Sequence, residues 1–138
     1  MPAPEFLDTN ILVLAYDSGD RRKQRIAQEL VKRALEGGMV VSTQVLAELA
    51  VTLLHKMAPP ARPEEVAAVL DALGPIRAIV PDGDTVRRAV DVHARYGVHF
   101  YDGMIVAAAE RGGCERIWSE DLNAGQKYFG IAVENPFL

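Results

Sequence analysis

The sequence predicts an α/β fold: a central, mainly parallel sheet of four to five short strands, covered by helices on both faces. Short apolar or β-branched runs of strand length alternate with longer segments of helical period, the pattern that parallel strands and their crossover helices impose. Glycine and proline pairs, Gly37-Gly38, Pro59-Pro60 and Gly112-Gly113, punctuate that alternation. No internal repeat, low-complexity tract or linker breaks it, so residues 1–138 are expected to form one domain, the usual size for a single core.

Phe6-Leu7 is a short apolar strand leading into Asp8-Thr9-Asn10, and Ile11 to Ala15 continues into a helical turn. From Ser18 to Glu36 the pattern is helical, with Ile26, Ala27, Leu30, Val31, Ala34 and Leu35 recurring at three and four residues until Gly37-Gly38 stops it. Met39 to Val41 is a buried strand. Ser42 or Thr43 caps the next helix, whose apolar stripe is Val45, Leu46, Leu49, Ala50 and Leu53 and whose stop is Pro59-Pro60. Pro63 opens a helix through Leu73, and Ile76 to Val80 reads as the third strand. Helices follow from Asp84 to about Tyr96 and from Tyr101 to Arg111. Arg116 to Ser119 is then the fourth strand, and Ile131 to Val133 a weak fifth.

Composition narrows the function classes. An apolar content of 49% supports a real core. The lone Cys114 has no internal disulfide partner, which argues for a reducing compartment. The opening Met1-Pro2-Ala3-Pro4-Glu5 has no basic-then-apolar leader pattern, and no apolar run approaches the roughly 20 residues of a membrane helix. A soluble, unprocessed, cytoplasmic protein is expected. The net charge of -4 disfavours a module that coats nucleic acid by general attraction. It does not disfavour a nuclease whose acids carry cations, because bound divalent ions reverse the local field.

Four acids fall where the site of an open parallel sheet belongs, beyond the carboxyl ends of the strands. Asp8 follows strand one and Asp121 follows strand four; Glu48 lies early in the helix after strand two, and Asp102 opens the helix before strand four. At about 100° per residue, Glu48 falls at the edge of the core-facing side of its helix. Two carboxylates within about 6 Å at an effective dielectric near 20 repel by about 3 kcal/mol. A cluster of four must therefore take up protons or bind cations. Oxygen ligands without a histidine or cysteine set favour Mg²⁺ or Mn²⁺ over Zn²⁺. Singly, each acid also has a structural reading: Asp8 as a helix N-cap, Asp102 as a favourable charge at a helix start, Asp121 as a turn residue, Glu48 on a solvated face. The joint placement carries the signal.

The stretch Phe6-Leu7-Asp8-Thr9-Asn10-Ile11-Leu12 resembles the opening motif of PIN-domain proteins. Ser42 to Glu48, Tyr101 to Ala109 and Trp118 to Leu122 resemble the family's second, third and fourth acidic motifs, in order and across nearly the whole chain. The compact length is most similar to the VapC-type toxins of prokaryotic toxin-antitoxin pairs. That resemblance implies a three-layer α/β/α sandwich, a homodimer, and a metal-dependent ribonuclease acting on single-stranded or structured RNA and blocked by a small antitoxin. It implies that Asp8, Glu48, Asp102 and Asp121 form the acidic site, supported by Asn10 and Ser119. Leu122-Asn123 departs from the acidic or aromatic pair that many members carry after the last acid. In the expected division of labour, Asp8 and Asp102 are the principal metal ligands. Asp121 completes the set directly or through water, and Glu48 orients the attacking water.

Other residues keep two readings. Arg21, Arg22, Lys23, Arg25, Lys32 and Arg33 make the first long helix basic, either as a phosphate track or as a solvated face on which Glu29 and Arg33 pair. Tyr101 and Trp118 are base-stacking candidates or core aromatics. His55, His93 and His99 show no ligand spacing, and Cys114 reads as packing. Two rival functions stand beside the nuclease. A haloacid-dehalogenase-type phosphatase would want a second aspartate where Asn10 stands, and a non-catalytic PIN-like scaffold would bind RNA or a protein without cutting.

Overall fold

A computed structural model describes residues 2–138, leaving Met1 of the opening stretch outside the described residues. Six strands and six α-helices follow in the order β1 (Glu5–Leu7), α1 (Thr9–Tyr16), α2 (Arg21–Glu36), β2 (Met39–Ser42), α3 (Thr43–Val51), α4 (Pro63–Leu73), β3 (Arg77–Ile79), α5 (Gly83–Tyr96), α6 (Phe100–Arg111), β4 (Arg116–Trp118), β5 (Lys127–Tyr128) and β6 (Ile131–Glu134). The sheet order is β3-β2-β1-β4-β6-β5, parallel except for the antiparallel β5-β6 pair. The chain builds outward from β1 through β2 to β3, then returns to the other side of β1 as β4. Right-handed crossovers therefore put the helices before and after β3 on opposite faces. The sheet reverses its order between β1 and β4, where α/β folds open a crevice.

Burial explains why these segments are strands. All four residues of β2 are buried, as a strand covered on both faces requires. Phe6, Leu7, Ile117 and Val133 pack with Ile11, Val45 and Leu49 in one continuous core. Caps set the helix starts. Asp20 accepts from the Lys23 backbone N–H, so α2 begins at Arg21 rather than Ser18. Ser42 does the same for Val45 and opens α3.

Three local features differ from the sequence expectation. The sheet has six strands rather than four to five, because Lys127–Tyr128 folds back on β6 as a two-residue edge strand. Its turn places Phe129 at φ 49° and Gly130 at φ 82°, and a bulky residue at positive φ is not a hairpin signal. Tertiary contacts hold it there: the Tyr96 hydroxyl accepts from the Phe129 N–H at 2.9 Å, and the Arg88 guanidinium lies 3.7 Å from the Phe129 ring centre. The helix that begins as α3 ends in a π-helical turn, Thr52–Lys56, where the expected pattern continues to the proline pair. Leu35, counted in the α2 stripe, is exposed.

Helices α5 and α6 pack closely, and Gly103 makes the contact possible. A Cβ there would meet the Ala89 backbone oxygen at 2.7 Å, which no side-chain motion relieves. Gly103→Ala is expected to lower stability by about 1 to 2 kcal/mol, overpacking outweighing the helix-propensity gain. Denaturant midpoints measure it, and an unchanged midpoint would refute the close approach.

Candidate active site

The strand register assembles the site. Leu7 pairs with Trp118 across β1 and β4, and the Asp8 N–H donates to the Trp118 carbonyl at 3.0 Å, so Asp8 and Ser119 leave the sheet side by side. Ser119 is fully buried, and its Oγ is a hub. It donates to Asp8 Oδ2 at 2.8 Å and accepts from the Asp121 and Leu122 backbone N–H groups, both at 3.1 Å. That hydroxyl thereby shapes the loop carrying Asp121.

Asn10 ties the two strand exits from the other side. Its Nδ2 donates to Asp8 Oδ2 at 3.3 Å and Asp121 Oδ2 at 3.2 Å, and lies 3.3 Å from Ser119 Oγ. Its Oδ1 accepts from the Glu120 backbone N–H at 3.0 Å, which fixes the amide orientation. Asn10 and Ser119, expected as nearby supports, both touch Asp8.

Asp8 also caps α1 by accepting from the Thr9 N–H at 2.7 Å, so its structural reading and its place in the cluster hold together. It is only 5% exposed. Burial pushes its carboxyl up to about 6, against the Ser119 and Thr9 hydrogen bonds, with the charges of Asp121 and Asp102 adding to the rise. Asp102, in the first turn of α6, is half-buried; burial and then the Asp121 charge raise its carboxyl, opposed by His99. These three acids thus feel one another's fields. Glu48 is exposed on the wall of the same cleft as Asp121, with its Oε1 accepting from Gln44 Nε2 at 2.8 Å.

A cleft of about 600 Å³ runs from Asn10, Glu120 and Asp121 between α1 and α3 to Thr52 and Lys56, with Val13, Leu14, Ala47 and Val51 on its walls. Lys23 of α2 reaches its rim to pair with Glu120 at 2.6 Å. Arg22 donates to the Phe137 carbonyl and Arg33 pairs with Glu5 rather than Glu29, while Arg21, Arg25 and Lys32 are exposed. Trp118 is anchored by its Nε1 donating to Glu5, whereas Tyr101 lies on the cleft edge. His99 caps α6 by accepting from the Tyr101 N–H. Cys114 is buried, and burial pushes its thiol up to about 12, consistent with packing. Gln44 was not singled out by sequence, yet it holds Glu48; its place four residues earlier on the same helix was the available signal.

Among the described residues, no three acidic, histidine or cysteine side chains converge closely enough to hold an ion by themselves. The donor chemistry nonetheless suits Mg²⁺ or Mn²⁺. The acids of the cluster offer only oxygen, and Mg²⁺ commonly takes only one or two carboxylates, keeping waters and substrate oxygens for the rest. Thr9 Oγ1 and Gln44 Oε1, on the cleft wall, are buried with no hydrogen-bond partner in the protein. Such polar atoms are costly unless something from the cleft meets them.

Comparison with solved structures places the fold. A toxin-antitoxin complex from Klebsiella pneumoniae matches at TM-score 0.68 and 22% identity, over 96% of this chain and 97% of that one. A sarcin-ricin loop cleaving VapC toxin of Mycobacterium tuberculosis matches at 0.64 and 21%, over 85% and 91%. A VapBC complex from Rickettsia felis, bound to a DNA fragment from its promoter, matches at 0.65 and 18%, over 95% and 97%. At these identities the likeness is one of fold. No curated protein matches by sequence. No helix among the described residues is long and apolar enough to cross a membrane. The PIN domain family model matches residues 6–129, and with that span, this sheet order and the acids at the ends of β1 and β4, the chain belongs to the PIN domain family.

Proposed function

We propose that this chain is a divalent-metal-dependent endoribonuclease, hydrolysing phosphodiester bonds of single-stranded or structured RNA as the toxin of a toxin-antitoxin pair. The observation that carries the reading is the Asp8-Ser119-Asn10-Asp121 network at the sheet's switch point, with Asp102 in its field. In this reading the chain is one domain, cytoplasmic and homodimeric. Its antitoxin occupies the cleft beside the acids; the Klebsiella and Rickettsia neighbours, themselves toxin-antitoxin assemblies, support that partner.

Asp8, Asp102 and Asp121 would hold Mg²⁺ or Mn²⁺, which when bound supplies charge to the phosphoryl oxygens and acidifies a water. The protein's part is positional. Ser119 and Asn10 fix Asp8 and Asp121, burial keeps Asp8 away from bulk solvent, and Glu48, steadied by Gln44, faces the cleft where it can orient a water. Asp8 must be ionised to bind a cation, so at cation concentrations below saturation binding and cleavage should rise with pH through about 6, and saturating Mg²⁺ should move that rise to lower pH.

Purified protein is expected to cut RNA with Mg²⁺ or Mn²⁺, to stop in excess chelator, and to resume when the ion is restored. RNA fragments sequenced after brief expression, compared with an Asp102→Asn variant, identify the target. Full activity in chelator excludes metal chemistry. RNA binding without cation-dependent cleavage assigns the chain to the non-catalytic class.

A further inference from the structure

Tyr101 stands one residue before Asp102 in the first turn of α6, a helix buried at every residue from Gly103 to Ala109. Tyr101 itself is 59% exposed and lines the cleft edge. Its placement is not loose. The His99 ring stacks with it at 5.8 Å between centres and 24° between planes, and the Phe100 ring meets it edge-on at 5.3 Å. Its backbone N–H donates to His99 Nδ1, and its carbonyl accepts from Gln44 Nε2 at 3.4 Å. An exposed aromatic held from two sides costs little further ordering when a flat partner arrives.

Gln44 joins this ring to the acidic wall. Its Nε2 donates both to the Tyr101 carbonyl and to Glu48 Oε1, so the network fixes which end of the amide is nitrogen. Its Oε1 is then an acceptor without a donor, buried just beneath the surface of a residue that lines the cleft, so a ligand meets it when the Gln44 side chain turns outward. A stacking face and an unmet acceptor, linked through one side chain next to Asp102, match a nucleotide: a base has a π-face, and its amines or the ribose 2′-OH are donors.

We propose that Tyr101 and Gln44 form a nucleotide subsite flanking the scissile phosphate, in which an unpaired base stacks on the Tyr101 ring and the same nucleotide donates a hydrogen bond to Gln44 Oε1. This rests on the ribonuclease reading and adds the residues that hold a nucleotide beside the cut. A base must leave its helix to stack there, so the site selects single-stranded or looped RNA at that nucleotide.

The test uses the full chain and an RNA oligonucleotide that wild-type protein cleaves at a mapped position, together with versions abasic or 2′-deoxy at each flanking nucleotide. Tyr101→Ala is expected to raise KM roughly ten- to a hundredfold with little change in kcat, and Tyr101→Phe to behave as wild type. One abasic substrate should reproduce that penalty for wild-type protein, and Tyr101→Ala should add nothing further on it. A 2′-deoxy penalty at the same nucleotide, absent in Gln44→Met, which removes the acceptor, gives the ribose hydroxyl as donor; a penalty confined to removal of the base amine gives the base. Tyr101→Ala cleaving the intact substrate as wild type does, or keeping its full penalty on every abasic substrate, overturns the proposal. So does a change of oligomeric state with cleavage untouched, which would assign the ring to a protein contact. If wild-type protein cuts no RNA, the ribonuclease reading fails instead. Anisotropy of the same oligonucleotides with Ca²⁺ in place of Mg²⁺ then decides the subsite separately: equal affinity of Tyr101→Ala and wild type removes it, and weaker binding retains it.

Discussion

Asp8→Asn is expected to lower RNA cleavage about a thousandfold or more and, in the same protein, to raise stability above pH 6 in the absence of divalent ions. The two effects share a cause. The Asp8 carboxyl sits at about 6, against 3.8 when free, so the folded state favours its protonated form. Below pH 3.8 both folded and unfolded chains carry the proton and nothing is lost. Between 3.8 and about 6 the unfolded chain ionises first, and stability falls as pH rises. Above 6 the deficit is complete, about 3 kcal/mol for a shift of this size, with little solvent screening at a group so buried. An asparagine never carries the charge. Some of the Ser119 and Thr9 hydrogen bonding weakens with it, leaving a net gain of about 1 to 2 kcal/mol. A divalent cation should reverse the order. At a hundred times its dissociation constant it adds about 2.7 kcal/mol to the wild-type protein, and far less to a variant that has lost Asp8. Urea midpoints at pH 4 and 7.5, with chelator and with Mg²⁺, read both signs. A variant less stable than wild type at pH 7.5 in chelator, by the same margin as at pH 4, would remove Asp8 from the charged centre.

The acids of β1 and β4 were legible in sequence because a parallel sheet exposes the residue after each strand at one edge, so apolar run followed by acid is a positional signal. Asp102 was legible for the related reason that helix starts converge there. Glu48 was placed at the edge of the core-facing side by its angle alone; it is exposed, and what fixes it is Gln44 one turn earlier. The unreadable parts depend on partners distant in sequence. Asn10 reaches Asp121 across 111 positions, and nothing local to Asn10 announces that contact. The β5-β6 hairpin is held through Tyr96 and Arg88 of α5 and not by turn chemistry at Phe129-Gly130. Tyr101 could not be separated from core aromatics because α6 is buried at every residue from Gly103 to Ala109, which leaves no amphipathic stripe to orient its first turn.

Asn10→Asp should be the most destabilising conservative change in the site. The substitution adds one oxygen in place of one NH₂, yet it turns a donor shared by Asp8 and Asp121 into a third negative charge 3.3 and 3.2 Å from theirs. At such separations and an effective dielectric near 20, each like-charged pair costs about 5 kcal/mol. The exposure of Asp121 and the partial exposure of Asn10 reduce this, and the new carboxyl can take up a proton, so a net loss of about 2 to 4 kcal/mol is expected in chelator at pH 7.5. An aspartate here is also what a haloacid-dehalogenase-type phosphatase would need, so the amide marks the divergence between the two chemistries. In this protein the position binds the site together by donating, and under the proposed metal-dependent reading the carboxylates are left to a cation rather than to proton transfer between them. Mg²⁺ should therefore recover most of the lost stability, through a dissociation constant lower than that of wild-type protein because a fourth acid joins Asp8, Asp102 and Asp121 around the ion. Equal stability of Asn10→Asp and wild type in chelator would mean that the amide does not bridge the exits of β1 and β4, and the lock between the two ends of the chain would have to lie with Ser119 alone.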